Sequence, residues 1–284
     1  MDQEAASPPH GLTSPQPNPR TVLLLLLAGN LFTLVFTVFP VLVNLPDIRQ
    51  GYYDGNDIIR LLEPLVSTPL AFALFLESGI LDNALTNRGA YGAMLVSFFM
   101  FATALYGQGA GFHSAANMFK HPVKDLIDNN PTNPDVETLT DIYSWMRDTW
   151  EHIIAHYMYA VGGILQSFTY AYIFRNIDLG PDGLKSRLDR SLWIAAAVFY
   201  GLIVGGVAIE FPKGSIVALL LTIGYGAGVL GTYVWRMGGM FTWGRRLVLQ
   251  YFLMAYSLGF VIVIGWIIHA KGFGNREETG MTFK

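Results

Sequence analysis

The sequence contains no cysteine. Disulfides, thiolate metal sites, iron–sulfur clusters and cysteine nucleophiles are therefore excluded, and any metal must be held by His, Asp, Glu, Asn or water. Charge is also scarce: 14% of the residues are Asp, Glu, Lys or Arg, against roughly 25% in soluble domains. The net charge of −3 leaves no basic surplus of the kind that holds nucleic acid. No lysine falls inside the long apolar runs, so a retinal Schiff base has no anchor there.

What fills the chain is apolar, at 52% hydrophobic residues and a mean hydropathy of +0.39. A bilayer core about 30 Å thick takes about 20 apolar residues of helix. Runs of that kind occupy 21–43, 61–81, 91–119, 143–174, 192–211, 215–237 and 247–269. The sequence thus predicts an all-α polytopic integral membrane protein with seven transmembrane helices, its first partner being the lipid bilayer. Residues 1–20 form a polar tail with five prolines in SPPHGLTSPQPNP, too poor in apolar side chains to offset chain entropy and expected to be disordered. The seven-helix domain covers 21–273, interrupted by a long loop at 120–141 rich in Pro, Asn and Asp. A polar tail, 274–284, follows. The basic clusters Arg175/Lys185/Arg187/Arg190 and Arg236/Arg245/Arg246 share the face of the N-terminal tail, which the positive-inside rule places in the cytoplasm.

Laying the polar residues on this topology gathers them at the opposite face. Glu63 opens the second helix there, His113 and Asn117 close the third, and Asp148, Glu151, His152 and His156 open the fourth. Glu210 and His269 end the fifth and seventh on the same side, so four of the six histidines converge at one leaflet. An ionisable side chain near the bilayer centre costs at least ~2.5–3.5 kcal/mol on insertion scales, which makes such residues functional candidates. The cost falls toward the interface, so for Glu210 and His269 a structural role is the simpler expectation.

The strongest local pattern is Asp148-x3-His152-x3-His156 in DTWEHIIAHY. Residues four apart share a helical face, and two imidazoles at that spacing can bind one metal ion. His113 is the natural third ligand, with His269 next. Glu151 or Asp148 could act as general base on metal-bound water or orient an imidazole. In GQGAGFHSAAN, Gly107, Gly109 and Gly111 permit close helix or ligand approach, and Asn117, four residues after His113, could hold a substrate oxygen. Glu63 precedes Pro64, which frees a backbone carbonyl that needs a partner. Histidines scattered over several helices with an Asp and a His-x3-His pair resemble the layout of the seven-helix alkaline ceramidase and progestin-receptor-like group. The Ser-x3-His element of that group is replaced here by His113-x3-Asn117, and the His-x3-His pair sits on the fourth helix rather than the last. The chain is not assigned to that group.

These residues point first to a membrane-embedded, zinc-dependent hydrolase acting on a lipid or other hydrophobic small molecule. His113, His152, His156 and His269 are then candidate metal ligands, and Glu151, Asp148, Glu63 and Asn117 candidate catalytic groups. Other classes stay open: a metal-free isomerase or cyclase of a polyprenyl or sterol-like substrate, using Glu63, Asp148 or Glu151 as proton donor, and a haem protein with His113 and His156 as axial ligands. A transporter or receptor would place polar groups at mid-membrane or on both sides of it.

Overall fold

The computed structural model describes residues 17–43, 45–82, 90–276 and 278–280. Most of the N-terminal tail expected to be disordered lies outside the described residues. Helix α1, Pro19–Leu42, begins where the Asn18 side chain accepts from the backbone N–H groups of Arg20 and Thr21, with Pro19 in the first turn. A small exposed hairpin, β1 (Asp47–Arg49) with β2 (Tyr53–Asp54), is the only sheet among the described residues. Helix α2, Gly55–Leu76, starts from a reciprocal cap in which Asp54 accepts from Asp57 N (2.9 Å) and Asp57 from Asp54 N (3.1 Å).

Helix α3, Ala90–Asn129, continues ten residues past its expected end at 119, and a Lys124–Asp128 pair at 2.5 Å runs along its last turns. Most of the expected 120–141 loop is therefore helix: after a turn at 130–135 the chain re-enters as α4, Val136–Ser144. It continues without a break through a π-helical stretch, Trp145–Ala155, into α5, His156–Ile173. Then come α6, Arg187–Glu210, and α7, Gly214–Leu220. A second π-helical stretch, Leu221–Gly231, joins α7 to α8, Thr232–Arg236, and α9, Leu247–His269, closes the bundle.

Six of the described helices are long and apolar enough to cross a membrane, which makes this an all-α, multi-pass membrane bundle. The expected fourth span, 143–174, is not among them. Its helical passage carries His156, Gln166 and four tyrosines, Tyr157, Tyr159, Tyr170 and Tyr172, which dilute its apolar character.

Hydrogen bonds show which helix ends meet. Asn18 N donates to Glu77 Oε1 at 2.8 Å, Tyr91 bonds Tyr172, and Trp193 Nε1 donates to Leu247 O at 2.9 Å. One face of the bundle therefore carries the start of α1, the end of α2, the start of α3, the end of α5 and the starts of α6 and α9. The large apolar core sits toward that face, around Val22, Phe75, Phe99, Trp193, Tyr251 and Phe252. Toward the other face the apolar cluster shrinks to Ala208, Ala218 and Val263. That uneven packing leaves room for cavities where the polar residues collect.

Candidate functional site

The π-helical stretch decides which side chains meet. In an α-helix residues five apart are rotated by about 140°, so Glu151 and His156 would face different ways. Here the His156 backbone N–H bonds the Glu151 carbonyl, an i→i+5 link that stacks the two on one side. Such insertions are often found at functional sites. Glu151, His152 and His156 consequently line one cavity together.

Helix α3 is held close enough to contribute by reciprocal glycines. A Cβ on Gly109 would lie 2.3 Å from Tyr159 N, and one on Gly162 would lie 2.4 Å from Tyr106 N, so each backbone rests directly on the other helix. His113 then stacks near His156, ring centres 4.9 Å apart and planes 20° from parallel. The His152 ring centre is 5.5 Å from that of His156, with planes at 17°. Phe211, from the α6–α7 turn, packs on the His156 ring at 4.0 Å. His156 is 8% exposed, and its Nδ1 is buried without a hydrogen-bond partner among the described residues. A buried polar atom of that kind is costly unless something satisfies it.

Glu151, 5% exposed, accepts from Lys120 Nζ through Oε2 at 2.5 Å, and its Oε1 stands 3.9 Å from His113 Nε2. Deeper in, Glu63 is 2% exposed; Tyr106 donates to its Oε1, and the Tyr106 and Tyr159 hydroxyls are 2.9 Å apart. Ser67 Oγ caps the Glu63 carbonyl at 2.9 Å, within the helical segment that Pro64 and Pro69 interrupt. Glu63 Oε2 has no partner among the described residues.

These groups surround a cavity of about 420 Å³, whose rim adds Arg60, Glu210 and Arg276. That size lies within the ~300–1,000 Å³ of small-molecule sites. A second, apolar chamber of about 180 Å³ adjoins it and shares Tyr159, Ile203, Val207 and Phe211 as wall residues. Leu25, Gly29, Leu70, Tyr170, Tyr200 and Phe252 line the far part of that chamber.

Of the residues expected from sequence, His113, Glu151, His152, His156 and Glu63 come together in the larger cavity. Three do not. Asp148 is exposed and stands 3.6 Å from Arg147, because the π-helical winding carries it off the face shared by the two histidines. His269 is exposed at the end of α9, its ring 5.8 Å from Trp266. Asn117 is buried one turn past His113, where its amide donates to Asp57, whose other oxygen lies 3.5 Å from His121 Nδ1. That cluster ties α3 to the capped start of α2, outside the cavity wall.

The structure adds Lys120, Arg60 and Arg276. Lys120 fell in the expected loop, yet the Lys120, Lys124 and Asp128 spacing is helical and continues α3. Arg60 lies just before the expected second span. Arg276 belonged to the expected tail, of which residues 274–276 pack on the bundle. Arg276 N donates to Ile209 O at 2.8 Å, its Nε meets Glu210 Oε1 at 2.7 Å, and Trp266 Nε1 donates to Gly274 O at 2.8 Å.

Imidazoles sharing a tetrahedral zinc, with Zn–N bonds of about 2.0–2.1 Å, have ring centres roughly 5 Å apart. The His113–His156 and His152–His156 separations of 4.9 and 5.5 Å are close to that spacing. As they stand, however, no group of three or more His, Asp or Glu among the described residues has its donor atoms placed to hold a metal ion. No protein family, curated protein or solved structure matches this chain.

Proposed function

We propose that the chain is a membrane-embedded, zinc-dependent hydrolase of a lipid or other hydrophobic substrate, with His113, His152 and His156 as ligands. The observation that carries this reading is the buried His156, with the two other imidazoles at near-ligand spacing from it and its own Nδ1 without a partner among the described residues. Closing the three rings on one ion requires their rotation about χ2, a broad torsion. The cavity beside them gives that rotation room.

When bound, the metal supplies an activated water and polarises a carbonyl. The rest falls to the protein. Glu151, beside His113, takes the proton from the attacking water and returns it to the leaving alcohol or amine. Lys120 fixes the Glu151 carboxylate through its 2.5 Å contact. Tyr106 orients Glu63 at the deep end of the same cavity.

One observation favours a second reading. The Lys120 ammonium already neutralises Glu151 at 2.5 Å, the arrangement of a metal-free acid–base pair, as in an isomerase or cyclase. Elemental analysis of detergent-purified protein separates the two. The zinc reading expects about one equivalent in the wild type and its loss in His152→Ala/His156→Ala. Equal metal content in both removes it in favour of the acid–base pair.

A further inference from the structure

The polar cavity leaves two side-chain groups unsatisfied besides His156. Arg60 is half-buried in its wall and makes no hydrogen bond or ion pair with any described residue. Glu63, one turn along the same face of α2, keeps Oε2 buried and without a partner among the described residues. The other charges of the wall are matched, Glu151 by Lys120 from behind it and Arg276 with Glu210. Arg60 and Glu63 both line the cavity and do not close on each other. A guanidinium that lines a cavity without an anion is a site for a carboxylate or phosphate, and a lone carboxylate oxygen beside it calls for a hydrogen-bond donor. The adjoining chamber offers no charged side chain to a ligand: its wall is mainly aliphatic and aromatic, with Asn30, Thr33, Ser67, Gln166 and Ser167 as its few other polar residues.

We propose that the two chambers hold a single-chain amphiphile. Its anionic head lies on Arg60, a hydroxyl next to that head donates to Glu63 Oε2, and its tail enters the tyrosine-lined chamber past Phe211. This names the substrate class of the cavity described above. It rests on reading that cavity as a substrate site, but it does not depend on the metal.

The test is native mass spectrometry of the full chain in non-ionic detergent, with equal amounts of 1-oleoyl lysophosphatidic acid and monoolein. The first has both phosphate and hydroxyl; the second keeps the hydroxyl and the chain but lacks the anion. The wild type is expected to favour the phosphate lipid by roughly tenfold or more, the range of a charge-assisted hydrogen bond. Arg60→Gln should bring the two to near-equal occupancy. Gly29 lines the apolar chamber, and a Cβ there meets nothing within 4 Å. Gly29→Leu should therefore grow into the chamber and lower the occupancy of both lipids while keeping their ratio. The same ratios are expected with and without a chelator, so a failure of the zinc reading leaves this result intact. Equal binding of the two lipids to wild type, or a preference that survives Arg60→Gln, overturns the proposal. So does displacement of the phosphate lipid by an equal concentration of inorganic phosphate, which would mark a site for the free anion.

Discussion

At the scale of single residues, burial and pairing separate the groups of the cavity from those that merely share its leaflet. His113, His152, His156, Glu151 and Glu63 were visible in the sequence because ionisable side chains are rare in apolar runs. Asp148 and His269 carried the same signal and do not reach the cavity. A helical wheel assumes an α-helix, and closeness to a helix end reveals depth but not direction. Arg60 and Lys120 were missed for the opposite reason, as they fall just outside the apolar windows. On the far face, Asp178 accepts from Arg245 Nε at 3.1 Å and lies 2.9 Å from Arg246 Nη2, clamping the end of α5 to the start of α9. The Arg245 hydrogen bond is the main cause that holds the Asp178 carboxyl below its ordinary value of 3.8. A carboxyl depressed in the folded state adds stability above its unfolded value and loses it as pH falls through the lowered one. The clamp should thus weaken below about pH 4, and only modestly, because solvent and salt screen so exposed a pair. Thermal melts in detergent across pH 5 to 2 check this. Asp178→Asn should flatten part of the acid limb, and an unchanged profile would show that the pair contributes nothing.

At the scale of elements, five expected spans return as single helices, with ends shifted by at most six residues except at the end of α3, which runs ten further, because long apolar runs leave few alternatives in lipid. The other two, 143–174 and 215–237, each contain a π-helical stretch, and no periodicity argument distinguishes that winding in advance. The continuation of α3 to Asn129 was hidden by composition. Pro122, Asn129 and Asn130 read as a loop, yet Lys124 and Asp128 keep the helical spacing. The glycines of α3 were legible as a close-packing device, and Gly109 proves to rest on Tyr159 while Gly162 of α5 rests on Tyr106. Gly111 has open space around its Cβ position. Gly162→Ala puts a methyl 2.4 Å from Tyr106 N, and overpacking of that kind costs about 1–3 kcal/mol. Gly111→Ala should cost nothing measurable. Thermal denaturation of the two variants in the same detergent provides the comparison, and equal midpoints would show that the α3–α5 contact is looser than described.

At the scale of the whole molecule, the bundle is built asymmetrically. Its large aromatic core lies toward the face where the chain enters α1, the polar cavity lies toward the other, and the apolar chamber reaches from that cavity into the core. The sequence made that polarity legible through the side on which histidines and acids gather, and the described hairpin, the folded-back residues 273–276 and the α6–α7 turn all border the same end. The coming together of the imidazoles could not be derived from spacing alone, since it depends on the glycine contacts and the π-helical winding acting together. The proposed function depends on those imidazoles acting as one site. Cobalt(II) titration of the detergent-purified full chain, followed by visible absorption, reads this directly. A tetrahedral-type band is expected that saturates near one equivalent, disappears in His156→Ala and survives in His269→Ala, whose ring lies outside the cavity. No band in the wild type, or one indifferent to His156→Ala, would contradict it.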